Sequence, residues 1–247
     1  MNKVKSKPII ELQDVERIYK LGEAEVRALN GVNLHVNKGE FISIIGKSGS
    51  GKSTLVNQVG CLDTPTHGKI LLDGVDIAKL GESDLAQIRG KKIGFIFQTF
   101  NLMPTLSVYE NVALPMGFQD YSGEEIEEQT NKILALVDLT DRAHHKPSEL
   151  SGGQRQRVAV ARALVNNPEV ILADEPTGNL DSKTGKQIME FLLKLNQEQN
   201  VTIIMVTHDD DLARWAERTI TLFDGKIVSE RKHSSKERKE AMKHTAI

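Results

Sequence analysis

An octapeptide rich in glycine and serine carries the most specific chemistry in this chain. It has the spacing Gly-x4-Gly-Lys-Ser and consists of Gly46, Lys47, Ser48, Gly49, Ser50, Gly51, Lys52 and Ser53. Glycines allow successive backbone N–H groups to turn toward one phosphate chain. In this pattern Lys52 would reach the β- and γ-phosphates, Ser53 would ligate Mg²⁺, and Thr54 would lie near the α-phosphate at a helix start. Because an apolar strand-like run leads into it, the octapeptide predicts a phosphate-binding loop.

A second anion site is predicted at residues 150–154, Leu-Ser-Gly-Gly-Gln. Ser151, Gly152, Gly153 and Gln154 stand where a run of good helix formers begins, and that run continues to Leu164. The first N–H groups of a helix have no intrahelical partner, so a helix start with bare glycine amides and a serine can bind an anion. The function must explain two phosphate-binding elements in one chain.

Polar side chains follow three further apolar runs. Asp174 and Glu175 end one run, Gln98 follows another, and His208 follows a third. In open α/β sheets, ligands bind at the carboxyl ends of the strands. Asp174 is predicted to hold a metal and Glu175 to orient or deprotonate an attacking water. Gln98 would offer a neutral oxygen to Mg²⁺ or water, and His208 would contact the γ-phosphate and the water. For the acids the alternative is simple exposure, and for His208 it is a structural role or simple exposure.

The elements that must position these residues are short strands that alternate with helices later in the chain. Strands are predicted over residues 9–12, 32–36, 41–45, 69–77 (with a turn), 93–97, 170–173 and 202–206. A helix is predicted from about Ser182 to Gln197, and an Asp-Gly hairpin turn at Asp224 and Gly225. This order predicts an α/β fold with a mixed, largely parallel core sheet and an N-terminal antiparallel β part.

Composition changes between about Thr99 and Glu149, where apolar residues fall at helical spacing behind an acidic start. We expect a helical insertion here, over about residues 99–165, within a single domain of residues 1–247. The tail, residues 229–247, is rich in Lys and Arg without apolar periodicity, which favours a solvated, frayed end over a membrane-surface or regulatory role.

Bulk composition is that of an ordinary globular protein. The chain has 247 residues, of which 39% are hydrophobic and 27% charged, and its formal net charge of −2 gives no reason to expect a nucleic-acid partner. The single cysteine, Cys61, fits a reducing compartment and is expected to be buried. No apolar run reaches the length of a membrane helix, and the basic residues 1–7 lack the apolar segment of a secretory signal, so a cytosolic location is expected.

Together these residues resemble the ATP-binding cassette (ABC) family over about residues 9–228. Residues 46–53 resemble its Walker A motif, Gln98 its Q-loop, and residues 150–154 its signature motif. Residues 170–175 resemble Walker B, residues 178–181 the D-loop, and His208 the switch histidine. The resemblance implies a P-loop NTPase of the ABC cassette fold and an ATPase that uses ATP and Mg²⁺.

The resemblance also implies that two copies pair head to tail. Ser151, Gly152, Gly153 and Gln154 would then serve the ATP that is held by the partner's P-loop, and Asp181 would cross the same interface. Tyr19 matches the aromatic position that stacks on adenine, although a core or edge-strand tyrosine is the alternative.

Residues 60–63, 101–112, 145–147 and 173–181 are similar to the lipoprotein-releasing and macrolide-export ATPases. That group implies a separate membrane permease, gripped by a groove in the helical insertion, and a location on the inner face of the membrane. Amino-acid importers and the cell-division ATPase share much of the pattern and remain alternatives. Cassette ATPases of DNA repair or translation carry coiled coils, zinc-binding cysteines or a second cassette, none of which occurs here.

Two positions depart from the family pattern. Lys47 stands where proline or arginine is frequent, and Gly178-Asn179 replaces the commoner Ser-Ala of the D-loop. Backbone amides bind phosphate at Lys47, so little loss is expected there.

Overall fold

Two β-sheets form the framework of the computed structural model, which describes residues 8–22 and 24–244. The smaller sheet is antiparallel, with strand order β2-β1-β4-β5. Its strands are Pro8–Leu21 (β1), Ala24–Asn37 (β2), His67–Leu72 (β4) and Val75–Asp76 (β5). Buried and exposed residues alternate over residues 32–36 of β2, which confirms the predicted half-exposed antiparallel strand.

The larger sheet has six strands in the order β10-β9-β3-β8-β7-β6. They are Phe41–Ile45 (β3), Ile93–Ile96 (β6), Val170–Asp174 (β7), Thr202–Val206 (β8), Arg218–Phe223 (β9) and Lys226–Lys232 (β10). All neighbouring pairs are parallel except β9 with β10, whose hairpin turn contains Asp224 and Gly225 as predicted. The mixed core sheet is therefore confirmed, and the carboxyl ends of β3, β6, β7 and β8 share one edge.

Eight α-helices lie between and after these strands within the described residues. They are Lys52–Val59 (α1), Glu82–Lys92 (α2), Val108–Ala113 (α3), Gly123–Leu136 (α4), Gly152–Leu164 (α5), Ser182–Gln199 (α6), Asp210–Ala213 (α7) and Ser235–His244 (α8). Three of them, α3 to α5, lie in the stretch where a helical insertion is expected. Ser107 and Ser122 begin α3 and α4 with capping boxes, which explains where these helices start. None of the helices in the described part is both long and apolar enough to span a bilayer.

Buried side chains form two cores on opposite faces of the larger sheet. One core packs that sheet against α3 to α6 and contains Phe41, Ile171 and Trp215. The other joins the opposite face to α1 and the smaller sheet, through residues such as Ile44 and Leu55. Cys61 lies in the second core, where burial raises the pKa of its thiol to about 11, so the expected buried cysteine is confirmed.

The expectation of a frayed tail from residue 229 is wrong over the described residues. β10 continues to Lys232, and α8 then packs back on the domain. Ala241 is only 8% exposed, Met242 packs against the first core, and Arg238 Nε donates a hydrogen bond of 2.9 Å to the backbone oxygen of Trp215. Two adjacent apolar residues carry this contact, so no apolar periodicity marks it in the sequence. Residues 1–7 and 245–247, to which the N-terminal and tail predictions also refer, lie outside the described residues.

Candidate nucleotide-binding site

The predicted phosphate-binding loop lies between β3 and α1, so its predicted position after a strand and at a helix start is confirmed. Lys52 Nζ donates to the backbone oxygens of Gly46 (2.7 Å) and Lys47 (2.9 Å), so the loop is curled around the ammonium group. Gly51 has a φ of 100°, and a Cβ there would collide with the backbone oxygen of Ala28 in β2. The loop therefore needs glycine at this position for two independent reasons, its backbone conformation and its close packing on β2.

The β9–β10 hairpin supports the loop from the other side. The N–H group of Gly225 donates to the backbone oxygen of Ser50 (3.0 Å), and the N–H group of Asn30 donates to the oxygen of Gly225 (2.9 Å). The Ser50 hydroxyl is buried but has no hydrogen-bond partner. A loop with an unsatisfied hydroxyl, an ammonium group and helix-start amides fits a chain of phosphates.

Glu175 and His208 meet at the edge formed by β7 and β8. His208 Nδ1 lies 2.7 Å from Glu175 Oε1, and the Thr207 hydroxyl donates more weakly, at 3.4 Å, to Glu175 Oε2. The hydrogen bond to Glu175 raises the pKa of His208, and the negative charge of Glu175 adds to this effect. His208 is largely exposed and Glu175 is not, so the pair faces solvent through the imidazole.

The backbone of Glu175 has a conformation that is rare for a residue with a side chain. Its φ is 46°, and its N–H group donates to the backbone oxygen of Val206 in β8 (2.9 Å). Gln156 in α5, which is 1% exposed, donates from Nε2 to the backbone oxygen of Pro176 (2.7 Å). This hydrogen bond from the protein interior restrains the same turn. Surrounding structure thus fixes a turn that costs conformational energy, as is common at functional sites.

Asp174 lies beside this pair and close enough to Lys52 to feel its charge. Burial raises the pKa of Asp174, the Glu175 carboxylate raises it further, and the Lys52 ammonium acts in the opposite direction. A cation bound at this edge would offset the first two effects. The predicted donors Asp174, Ser53 and Gln98 supply carboxylate, hydroxyl and amide oxygens, which are the hard ligands that Mg²⁺ prefers.

Gln98 follows β6, the strand next to β7, and is therefore at the same edge as Asp174 and Glu175. Its backbone oxygen accepts a 2.7 Å hydrogen bond from Asn179 Nδ2. Its side-chain nitrogen lies only 2.8 Å from the point where a Cβ of residue 178 would stand.

The structure does not bring residues 150–154 to the phosphate-binding loop. Ser151 caps α5, since its hydroxyl accepts from the N–H group of Gln154 (3.2 Å) while Gln154 Oε1 accepts from the N–H group of Ser151 (2.8 Å). Ser151 is exposed, and within the described part of the chain no hydrogen bond or ion pair joins these residues to residues 46–53. The two predicted anion sites are separate in one chain.

Thr184, in the first turn of α6, contacts both Asp181 and Gly153. Thr184 donates to both carboxylate oxygens of Asp181, from its hydroxyl (2.7 Å) and its N–H group (3.0 Å), and these bonds lower the pKa of Asp181. A Cβ on Gly153 would collide with the methyl group of Thr184. The D-loop and the start of α5 therefore form one continuous surface.

Tyr19 lies near the end of β1, where it pairs with Val26 of β2. Its hydroxyl donates to Asp63 (2.8 Å), and the Arg17 guanidinium stands 4.7 Å from the ring centroid. One face of the ring is thus covered by Arg17, and the contact of its other face with adenine stays a prediction.

The sequence does not predict the contacts of Gln156, Thr207 and Asn179. Gln156 could have been found, because it lies on the same helical face of α5 as Ala159, Val160 and Ala163, where a polar side chain needs a partner. The contacts of Thr207 and Asn179 arise between distant loops, and no spacing in the sequence indicates them.

Known proteins match this chain over most of its length. A family model described as ABC transporter matches residues 29–178. The uncharacterized ABC transporter ATP-binding protein MJ0796 of Methanocaldococcus jannaschii is 52% identical over 228 residues, which cover 91% of this chain and 97% of that protein. The macrolide export ATP-binding/permease protein MacB of Syntrophobacter fumaroxidans is 47% identical over 90% of this chain, which spans only 31% of MacB.

Solved structures show the same fold. A dimeric structure of the ATP-binding cassette MJ0796 in a post-hydrolysis state, bound to ADP and Pi, matches with a TM-score of 0.84 at 50% identity and covers 92% of this chain and 99% of that one. The motifs, the fold and these relatives agree. The chain belongs to the ABC transporter family and is an ATP-binding cassette ATPase.

Proposed function

We propose that two copies of this chain enclose ATP and Mg²⁺ between them and that hydrolysis drives a separate membrane permease of the export or lipoprotein-release type. One observation is the main support for the proposed dimer. Ser151 and the glycines after it form an exposed helix start suited to an anion, and their own phosphate-binding loop does not contact them. A second copy in head-to-tail orientation supplies the phosphate that this site lacks.

The relatives support this arrangement. Two structures of MJ0796 are dimers. One is a post-hydrolysis state bound to ADP and Pi, and the other is described as the dimeric structure of a bacterial ABC transporter cassette. Each matches this chain with a TM-score of 0.84. The surface formed by Gly153, Thr184 and Asp181 is the part of this chain that would face the second copy.

The residues at the sheet edge divide the hydrolytic work between them. Lys52 binds the β- and γ-phosphates, and Glu175 orients or deprotonates the attacking water. His208, held by Glu175 at 2.7 Å, contacts the γ-phosphate and the water. Asp174, Ser53 and Gln98 would hold Mg²⁺, which neutralises charge that develops on the phosphates.

A surface cavity of about 280 Å³ between the larger sheet and the helical insertion is the proposed permease site. Phe95 and Phe97 form its apolar floor, with stacked rings whose centroids are 5.5 Å apart. Leu62, which is 48% exposed, forms part of the wall, and Arg89 and Arg162 add positive charge. This combination fits an amphipathic segment of a membrane protein that carries apolar and acidic side chains.

The location follows from the same proposal. The chain would work in the cytoplasm, held at the inner face of the membrane by the permease. The similarity to MacB, whose name combines an ATP-binding and a permease function in one protein, supports an export-type permease over an importer or a cell-division partner.

Copurification tests the permease site. A tagged chain expressed in its own cells should retain an integral membrane protein in detergent extracts, and Leu62→Asp should abolish the retention. Val75→Asp is the matched control, because Val75 is similarly exposed (43%) but lies in the smaller sheet, away from the cavity. Retention by Leu62→Asp, or equal loss in both variants, would contradict the proposed groove.

A further inference from the structure

Two residues of the D-loop, Gly178 and Asn179, contact Gln98 of the Q-loop. Asn179 Nδ2 donates a 2.7 Å hydrogen bond to the backbone oxygen of Gln98. Gly178 lies against the Gln98 side chain, since a Cβ at residue 178 would stand 2.8 Å from Gln98 Nε2 and 3.4 Å from its Cγ. One residue thus holds the backbone of Gln98, and the other provides the space for its side chain.

Neither residue is needed in this form for the local fold. Both are exposed, and Gly178 does not have a left-handed φ, so alanine is compatible with its backbone. The turn itself is closed by backbone bonds, from the N–H group of Gly178 to the oxygen of Glu175 (3.0 Å) and from Leu180 to Thr177 (3.1 Å). The contact with Gln98 is therefore an addition to a turn that already closes without it.

Gln98 needs such support. It is exposed and lies two residues beyond Ile96, the last residue of β6, so it stands in a turn outside the sheet. An unrestrained glutamine side chain samples several rotamers, and an oxygen that must meet a metal or a water is useful only in one position.

We propose that Asn179 is a positioning residue for ATP hydrolysis, which fixes the backbone of Gln98 while Gly178 leaves room for the Gln98 side chain at the site edge. The same contact joins the start of the helical insertion to the D-loop, whose Asp181 is held by Thr184 beside Gly153. This inference rests on the proposed role of Gln98 as a ligand of Mg²⁺ or water.

Two single variants separate the two contacts. Asn179→Ala removes the donor and leaves the space, whereas Gly178→Ala keeps the donor and puts a methyl group where Gln98 Nε2 lies. Because Nε2 is the end of a flexible side chain, Gln98 must rotate away in Gly178→Ala while the fold is retained. We expect each variant to lower kcat about threefold to tenfold, with KM for ATP within about twofold of the parent.

The Gln98→Ala background distinguishes positioning from a merely structural effect. If Asn179 and Gly178 act through the Gln98 side chain, neither variant lowers kcat further once that side chain is absent. If the variants instead cause a general structural defect, each should reduce kcat in the Gln98→Ala background by the same factor as in the parent.

A nucleotide-free readout tests the geometry itself. In protein labelled with ¹⁵N at glutamine side chains, the Gln98 amide signals are identified by their loss in Gln98→Ala. Asn179→Ala and Gly178→Ala should both shift these signals, and thermal unfolding should stay near that of the parent. Unshifted signals or unchanged kcat in Asn179→Ala would overturn the inference. Unchanged kcat in Gln98→Ala would instead remove Gln98 from the proposed hydrolytic function.

Discussion

His208 Nδ1 lies 2.7 Å from Glu175 Oε1, and this contact joins the ends of two adjacent parallel strands, β8 and β7. The two residues are far apart in sequence and come together only because parallel strands place their carboxyl ends at one edge. The pair couples a titrating imidazole to the carboxylate proposed to act on water.

The pKa of His208 should therefore lie above its ordinary value of about 6.5 and should fall in Glu175→Gln. The ion pair stabilises the fold fully below that ordinary value, and its contribution is lost as pH rises through the raised pKa. Titration of the His208 ring by nuclear magnetic resonance measures both values. Asp209→Asn is the control. The charge of Asp209 raises the pKa of His208 less than Glu175 does, so this variant should lower the pKa of His208 by a smaller amount. An equal pKa in the parent and Glu175→Gln would contradict the pairing.

Gly153→Ala should destabilise the protein because its Cβ would collide with the Thr184 methyl group. Overpacking of this kind costs about 1–3 kcal/mol in the free energy of unfolding. Thr184→Ser removes the methyl group but keeps the hydroxyl that holds Asp181. The double variant Gly153→Ala/Thr184→Ser should recover most of the loss in urea unfolding. No recovery would show that another contact excludes a side chain at residue 153.

Gly51→Ala should lose more stability than Gly49→Ala. Both positions have a positive φ, 100° and 78°, so both variants carry backbone strain of about 1–2 kcal/mol. Only at Gly51 does a Cβ also meet the backbone of β2, and backbone cannot rotate away. Nucleotide-free unfolding in urea should rank the parent first, Gly49→Ala second and Gly51→Ala last. The reverse order of the two variants would refute the contact with Ala28.

The packing of α8 predicts a contrast between two of its positions. Ala241→Glu places a charge against the first core and should lower the free energy of unfolding by about 2 kcal/mol or more. Lys239→Glu lies on the exposed side and should change it by less than about 0.5 kcal/mol. Similarly small effects of both changes on the free energy of unfolding would contradict the packing of α8 and support the frayed tail that the sequence suggests.

Spacing alone predicted the residues that lie at the ends of strands. An apolar run followed by Asp174, or by Gln98, indicates both a buried strand and its functional end, because in a parallel sheet these two properties coincide. The Asp-Gly turn at Asp224 was predictable for a similar reason, since few residues adopt that turn.

Contacts between loops were not predictable in this way. The left-handed turn at Glu175 depends on Gln156 from α5 and on the backbone of Val206, and neither is near it in sequence. The tail was predicted wrongly because Arg238 reaches Trp215 through a tertiary hydrogen bond, which composition does not reveal. Tertiary contacts of this kind override local preference.

Two chains complete one nucleotide site in the proposed function, and the molar mass in solution of the Glu175→Gln protein with ATP and Mg²⁺ tests this most directly. The variant should bind ATP with turnover at least about 10²-fold below the parent, so the ATP-bound state persists. Ser151→Asn in the same background keeps a neutral cap on α5, whereas Ser151→Asp keeps the cap but adds a negative charge at the proposed γ-phosphate site. Light scattering on a sizing column should show a dimer for Glu175→Gln and for its Ser151→Asn derivative, and a monomer for the Ser151→Asp derivative. A Glu175→Gln protein that stays monomeric at saturating ATP and Mg²⁺ would contradict the account.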